Sequence, residues 1–461
     1  MIKEKRNMND ERSTFSGKLG FVLSAAGASV GLGNIWRFPY LAAKYGGGIF
    51  LLIYILLALT FGYTMIIAET SIGRMTKKSP VSAFAKFGDS KLVHAGGWIN
   101  AIIPILIAPY YSTIGGWVIK YLVEYLKGNT AQLADENYFT GFITGGYEAE
   151  LWFVVFVVLD LIIIYLGVEN GIERVSKIMM PILLVLALVI SAYSISMPGA
   201  LEGVKYFLIP NLKNFSWMTV VTAMGQMFYS LSIAMGILIT FGSYMKDDVS
   251  IESATVNVEI FDTGIALLAG LMIIPAVFAF SGGTPETLNA GPSLMFITIP
   301  KILSSIGFAR VGGILFFVLV LFAALTSAIA LTECAVSTIE DELGWNRHLA
   351  TFIMGVIMIG LGTLSSLGYG PLDMIKIIGM QFLDFSDFLT NSVMMPISAM
   401  AICFLVTRHI GVDNLCAEVE KDGHGFKRKK VFLFMIRYLS PIFLLVILIS
   451  SVANVFGFIS M

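Results

Sequence analysis

The sequence predicts an all-α membrane protein of about eleven transmembrane helices, and three observations carry that expectation. Of its 461 residues, 57% are hydrophobic and 13% are charged, whereas soluble domains run about 45–50% apolar and about 25% charged. Runs of about twenty apolar residues, the length that crosses a bilayer as a helix, recur along the whole chain. Lysine and arginine gather in alternate connecting segments, as they do on one side of a membrane. The formal charge of −1 offers no basic stripe for nucleic acid. Cys334, Cys403 and Cys416 include no CxxC pair, so neither a disulfide scaffold nor a zinc site is indicated.

In chain order the spans are expected near 18–43, 48–73, 92–126, 149–167, 172–197, 217–244, 251–281, 309–340, 348–366, 378–407 and 428–456. Residues 1–17 form a segment before them. No cleavable signal is expected, because the first apolar run continues into a multi-span pattern. Spans 1–5 (18–197) and 6–10 (217–407) make two five-span halves, 408–427 connects, and 428–461 carries span 11. The loops are too short for a soluble domain. Lys3, Lys5, Arg6 and Arg12 precede span 1, while Arg74, Lys77, Lys78, Lys86 and Lys91 follow span 2. Arg408, Lys421, Lys427, Arg428, Lys429 and Lys430 follow span 10. With eleven spans these three segments share one side, expected to be cytoplasmic. The N-terminus is then inside and the C-terminus outside.

Span 1 reads GFVLSAAGASVGLGNIWRFPYLAAKYGGG, with Gly27, Gly31 and Gly33 in mid-membrane before Asn34, Arg37 and Pro39. Each glycine weakens a helix by about 1 kcal/mol. Such a cluster either opens the helix or lets neighbouring helices pack closely. Backbone freed in a membrane survives only against protein, ions or water. Span 6 decides between these readings, since Gly225, Gln226, Ser230, Ser232 and Gly236 crowd its middle. Interrupted spans at corresponding places in two halves point to an inverted-repeat transporter with its site at the midplane.

These residues carry a resemblance. The stretch GASVGLGNIWRFPYLAAKYGGGIF (27–50) resembles the first span of the neurotransmitter:sodium symporters, most closely their bacterial amino-acid branch. AETSIGR (68–74), PYYSTIGGW (109–117), GQMFYSLSIAMG (225–236), ALTSAIALTECAVSTIEDELG (324–344) and FLDFSDF (382–388) extend it along essentially the whole chain. The resemblance implies a sodium-driven amino-acid symporter working by alternating access in a cell membrane, that of a prokaryote to judge from the short loops.

It also implies roles. One sodium ion would be held by the Ser29 carbonyl, Asn34, Ser230, Asp262 and the substrate carboxylate. A second would be held by the carbonyls of Gly27, Val30 and Ala323 with the hydroxyls of Thr326 and Ser327. All-oxygen cages suit a hard cation, although hydroxyls such as those of Thr326 and Ser327 often bond back to their own helix instead. The substrate carboxylate would meet half-helix N–H groups near Leu32 and Gly33, with the Tyr111 hydroxyl beside it. Gly31 stands where the family's monoamine carriers have aspartate, which favours an amino acid over an amine. Ile107, Tyr229, Ser232, Met235, Ala330 and Leu331 would line a mostly apolar side-chain pocket suited to large neutral or aromatic amino acids.

Arg37 and Asp387 resemble an outer gate pair, with Tyr111 and Tyr229 as a lid. Arg12 and Asp341 resemble an inner gate, with Phe15, Tyr244 and Glu69 nearby, and Phe15 replaces a frequent tryptophan. Ion pairs of this kind are usually functional inside a span, but they also serve as fixed braces. Tyr54, Gln226 and Ser230 match residues that bind chloride in animal carriers, which have asparagine where this chain has Asp262. A bacterial member has glutamate one turn later, at the place of Ala266. Asp262 is therefore expected to supply the negative charge, so no chloride is needed. In span 5, Gly171 and Pro181 have a spacing similar to one in bacterial relatives. They mark either a static kink or a hinge that unwinds to hydrate the second sodium.

Two other classes fit poorly. His94, His348, His409 and His424 all lie in loops or at span ends, which leaves no buried histidine site for an enzyme. Polar residues cluster at the midplane and do not line a continuous channel. An amino-acid sensor that kept the site but lost turnover stands as the alternative.

Overall fold

The computed structural model describes residues 12–281, 292–305 and 309–458. Lys3, Lys5 and Arg6 lie outside the described residues. Among the described residues, eight helices are long and apolar enough to cross a bilayer by themselves, and the bent pair Lys18–Ser29 and Gly33–Lys44 makes span 1. The two remaining places among the expected eleven go to Tyr147–Tyr165 (span 4) and to the pair Trp217–Ser230 and Ile237–Ser243 (span 6).

The other spans are Gly48–Thr76 (2), Lys91–Lys127 (3), Val168–Ile195 (5), Ile251–Ser281 (7), Ala309–Leu343 (8), Arg347–Ser366 (9), Phe382–Ile410 (10) and Lys429–Val455 (11). Their ends have local causes. Ser90 caps span 3 by accepting from the Val93 N–H, and Gly128 in a left-handed conformation stops it. Ser216 and Thr219 form a reciprocal capping box at the start of span 6. Asn346 caps span 9.

The spans sort by burial. Span 8 is enclosed from Ala323 to Thr338, packed against spans 1, 3, 4, 5 and 9. Spans 4, 5, 9 and 11 turn apolar side chains such as Leu151, Val185, Phe352 and Ile442 outward, where lipid solvates them. Short helices cover the two ends: Thr130–Leu133, Glu136–Thr144, Ala200–Leu208 and Leu294–Ser305 at one, Pro80–Ala85 and Val412–Val419 at the other. A two-stranded antiparallel ribbon pairs Lys376 with Gln381 and Ile377 with Met380 before span 10.

Several spans contain a wide, π-type turn. Those at Gly33–Arg37, Ala58–Gly62, Val168–Glu173 and Met435–Leu439 fall in spans 1, 2, 5 and 11. Such turns leave carbonyls loosely bonded and are frequent at functional sites.

Candidate functional site

The two interruptions meet at the centre of the bundle. Span 1 stops at Ser29 and resumes at Gly33, bent by 55°. Span 6 stops at Ser230 and resumes at Ile237, and in between Ser232, Ala234 and Gly236 all take positive φ (51°, 62° and 71°). Left-handed backbone is costly for residues with a Cβ, so its freed groups need firm partners. The Ala234 N–H donates to Glu69 Oε1 at 2.6 Å, and Ser232 Oγ donates to the Ala28 carbonyl at 2.9 Å. Ser29 Oγ is 3.3 Å from the Leu231 carbonyl. Glu69 thus belongs to the span 6 break and not to the inner gate where the sequence placed it. Its position on span 2 faces mid-membrane, and burial demands that it satisfy a backbone donor there.

A cavity of about 30 Å3 lies between the breaks, lined by Ser29, Gly31, Leu32, Gly33, Ile107, Tyr111, Tyr229, Ser230, Ser232, Met235 and Leu331 among others. Every residue expected to touch substrate is there except Ala330. Ala330 is fully buried but precedes Leu331 by one position, which turns it about 100° around span 8. The Leu32 N–H donates to the Tyr111 hydroxyl at 3.3 Å. A Cβ on Gly31 would lie 2.7 Å from Ser327 Oγ, and one on Gly33 would lie 2.6 Å from the Tyr229 ring. A side chain at either position would crowd these neighbours, and the Gly31 N–H donates to Asn34 Oδ1 at 3.2 Å.

Oxygen atoms gather on either side. Asp262 accepts from Asn34 Nδ2 at 2.8 Å, from Ser230 Oγ at 2.9 Å and from the Tyr54 hydroxyl at 3.1 Å. Gln226 Nε2 donates to the Gly33 carbonyl at 3.0 Å. Ser327 Oγ lies 3.2 Å from the Gly27 carbonyl and 3.4 Å from that of Val30. Thr326 Oγ1 bonds back to the Phe322 and Ala323 carbonyls (2.9 and 3.3 Å). A Cβ on Gly27 would nevertheless touch both Thr326 and Met180. Span 5 thus reaches this second cluster one residue before Pro181. Gly171 sits in the wide turn Val168–Glu173, and Pro181 sits inside the continuous helix Arg174–Ile195. The stretch between them is wound in this conformation.

At the end bearing most of the basic residues, Arg12 donates to Asp341 at 2.7 Å, to Ser337 at 2.8 Å and to Ser243 at 2.9 Å, with its guanidinium 5.0 Å over the Tyr244 ring. Asp341 also accepts from Lys78 and the Ser79 N–H. Phe15 is buried edge-on against Phe21, Phe241 and Tyr244. Behind it Tyr244 donates to Glu333 at 2.6 Å, and Arg347 grips the same carboxylate. Outside the spans, hydrogen bonds from Lys421 and Lys77 hold the Asp247 carboxyl down at about 2.

The opposite end opens into a vestibule of about 510 Å3 that includes Arg37, Tyr110, Tyr111, Tyr229 and Asp387. Arg37 and Asp387, the expected outer gate pair, both face this vestibule but make no direct ion pair in this conformation. Asp387 accepts from Asn391 (2.6 Å) and Tyr110 (3.3 Å), while the Arg37 guanidinium stacks 5.1 Å over the Tyr229 ring. Sequence reading also passed over Glu333 with Arg347, and Asp160, whose carboxylate accepts from Thr332 at 2.6 Å. An acid within an apolar run, as in FVVFVVLDLIIIY and AIALTECAV, is the signal that marks both.

Residues 12–141 and 140–458 match the model of the sodium:neurotransmitter symporter family. A sodium-dependent transporter of Bacillus subtilis (strain 168) is 32% identical over 442 residues, covering 95% of this chain and 97% of the relative. One of Methanocaldococcus jannaschii is 31% identical over 472 residues, covering 96% and 91%. The crystal structure of MhsT in complex with L-phenylalanine superposes with a TM-score of 0.85 at 35% identity, over 96% of this chain and 100% of that one.

Proposed function

Because this chain belongs to the sodium:neurotransmitter symporter family, we propose that it imports a neutral L-amino acid with a large hydrophobic or aromatic side chain, together with two sodium ions and without chloride. It is a sodium-dependent membrane transporter and not an enzyme. The observation that carries the substrate class is the Leu32 N–H beside the Tyr111 hydroxyl, at the amino end of a half-helix. A carboxylate placed there gains a backbone donor, a hydroxyl and the helix dipole. Ile107, Met235 and Leu331 supply apolar surface around the cavity, and Gly31 leaves no acid to pair with an amine. The phenylalanine held by MhsT favours the same class.

Two oxygen clusters, one around Asp262 and Asn34 and one around Ser327, Gly27 and Val30, support two ions. One sodium falling through a tenfold gradient and 100 mV yields about 1.4 plus 2.3 kcal/mol. Two therefore supply roughly 7 kcal/mol, about a 10⁵-fold accumulation of a zwitterion. Asp262 reaches Tyr54 and Ser230, which match residues that bind chloride in animal carriers, so its carboxylate takes the anion's place. The basic end faces the cytoplasm of a prokaryotic cell, with the N-terminus inside and the C-terminus outside. Alternating access then begins from the open vestibule, with the Arg12–Asp341 side closed.

Binding of labelled tyrosine, tryptophan and leucine to the purified protein, in sodium and then in potassium, tests this reading. Saturable binding only in sodium is expected, and the ranking names the substrate. Binding indifferent to the cation overturns it. Sodium-dependent binding without uptake into proteoliposomes would mark an amino-acid sensor.

A further inference from the structure

Spans 2 and 11 leave a groove of about 430 Å3 between them, walled by Leu56, Leu57, Thr60, Phe434, Leu439 and Phe443, with Lys430 at its mouth. The wide turns Ala58–Gly62 and Met435–Leu439 meet across it. A helix widened at the level of its neighbour's widening cannot seat ridges into grooves, and a lipid-facing hollow remains. Its walls are hydrocarbon apart from the Thr60 hydroxyl, and that is already bonded to the Leu56 carbonyl at 2.7 Å.

The cations beside this groove differ from those around them. Lys421, Arg428 and Lys429 pair with Asp247, Glu259 and Glu420 at 2.9, 3.1 and 2.9 Å. Lys430 and Arg437 are exposed and have no hydrogen-bond or ion-pair partner among the described residues. Lys430 and Phe434 stand at i and i+4 on the face that lines the groove, and Arg437 follows in the wide turn Met435–Leu439. Arg437 lies about 10 Å further along the helix axis than Lys430. An unpaired guanidinium at that depth is costly unless an anion meets it or it reaches the headgroups. Occupant and charge are thereby both specified: hydrocarbon in the groove, an anionic phosphate at its mouth.

We propose that the groove between spans 2 and 11 binds an anionic phospholipid of the surrounding bilayer, with one acyl chain against Thr60, Phe434 and Phe443 and its phosphate on Lys430 and Arg437. The Phe443 ring lies 6.1 Å from Phe61, and Phe61 lies 6.2 Å from Phe228 in span 6. Two rings, Phe443 and Phe61, therefore connect the bound chain to Phe228 of span 6.

The test uses the purified full chain in detergent with equal amounts of phosphatidylglycerol and phosphatidylcholine of the same acyl chains, and retained lipid is read by native mass spectrometry. The wild type should keep phosphatidylglycerol preferentially. Lys430→Gln and Arg437→Gln should each cut that preference about five-fold, whereas Lys429→Gln, whose ammonium is already held by Glu420, should leave it unchanged. Thr60→Trp should lower retention of both lipids by filling the groove. Equal retention of the two lipids by the wild type overturns the proposal without any variant. An equal loss in Lys429→Gln overturns it in favour of diffuse attraction to the basic loop.

Discussion

Glu69 on span 2 accepts the backbone N–H of Ala234 at 2.6 Å, inside the unwound stretch of span 6. Ala234 holds a left-handed conformation with a Cβ attached, so this bond fixes backbone that local preference opposes. Glu69→Ala strands a buried donor and should cost about 1–3 kcal/mol, read as a lower thermal midpoint together with weaker sodium-dependent binding. Glu69→Gln keeps an acceptor oxygen and should cost less. Equal stability of all three proteins would remove Glu69 from this role.

Asp262 collects hydrogen bonds from Asn34, Ser230 and Tyr54. Asp262→Asn keeps the shape and removes the charge. Uptake by the variant should then require chloride, whereas wild-type uptake should survive replacement of chloride by gluconate. Chloride dependence of the wild type would refute the assignment.

Met180 faces Gly27 of the second oxygen cluster so closely that a Cβ there would lie 3.4 Å from its sulfur, and Pro181 follows it within the wound part of span 5. Pro181→Ala restores a helical hydrogen bond and should slow sodium release toward the basic end. Stopped-flow release from sodium-loaded protein measures this, and an unchanged rate counts against a hinge.

Asp247 is held between Lys77 and Lys421 at 3.0 and 2.9 Å, with its carboxyl depressed to about 2. A depressed carboxyl stabilises the fold fully above its unfolded value of about 3.9, and the gain disappears as pH falls toward 2. Asp247→Asn should be slightly less stable than wild type at pH 5, by less than about 1 kcal/mol because the site is exposed. The two proteins should converge near pH 2. Melting curves across that range decide it.

The all-α architecture and span order were legible because apolar run length is a one-dimensional signal. So was the interruption of span 1, where glycines crowd against Ser327 and Tyr229. Span 6 was harder. Gly225, which drew attention in the sequence, lies within an intact helix with open space at its Cβ position, while the left-handed residues are Ser232, Ala234 and Gly236. An alanine gives no local hint of positive φ, since the partner that stabilises it stands 165 positions away on another span. The grip of Arg347 on Glu333, only 14 positions apart, was hidden for another reason: the loop that turns span 9 back against span 8 sets it, and neither residue's local pattern does. Arg37 and Asp387 do face one vestibule, as the gate reading expects, but a sequence names the two charges and not the conformation in which they pair.

The hydrogen bond from Ser232 to the Ala28 carbonyl joins the two interruptions directly, each in a different half of the chain. A swing of either half-helix at this point must break that bond or carry its partner along. The pair behaves like the pallets of a clock escapement, where one tooth is released only as the next is caught. In the proposed alternating access, this link is the place where closing one route would be tied to opening the other.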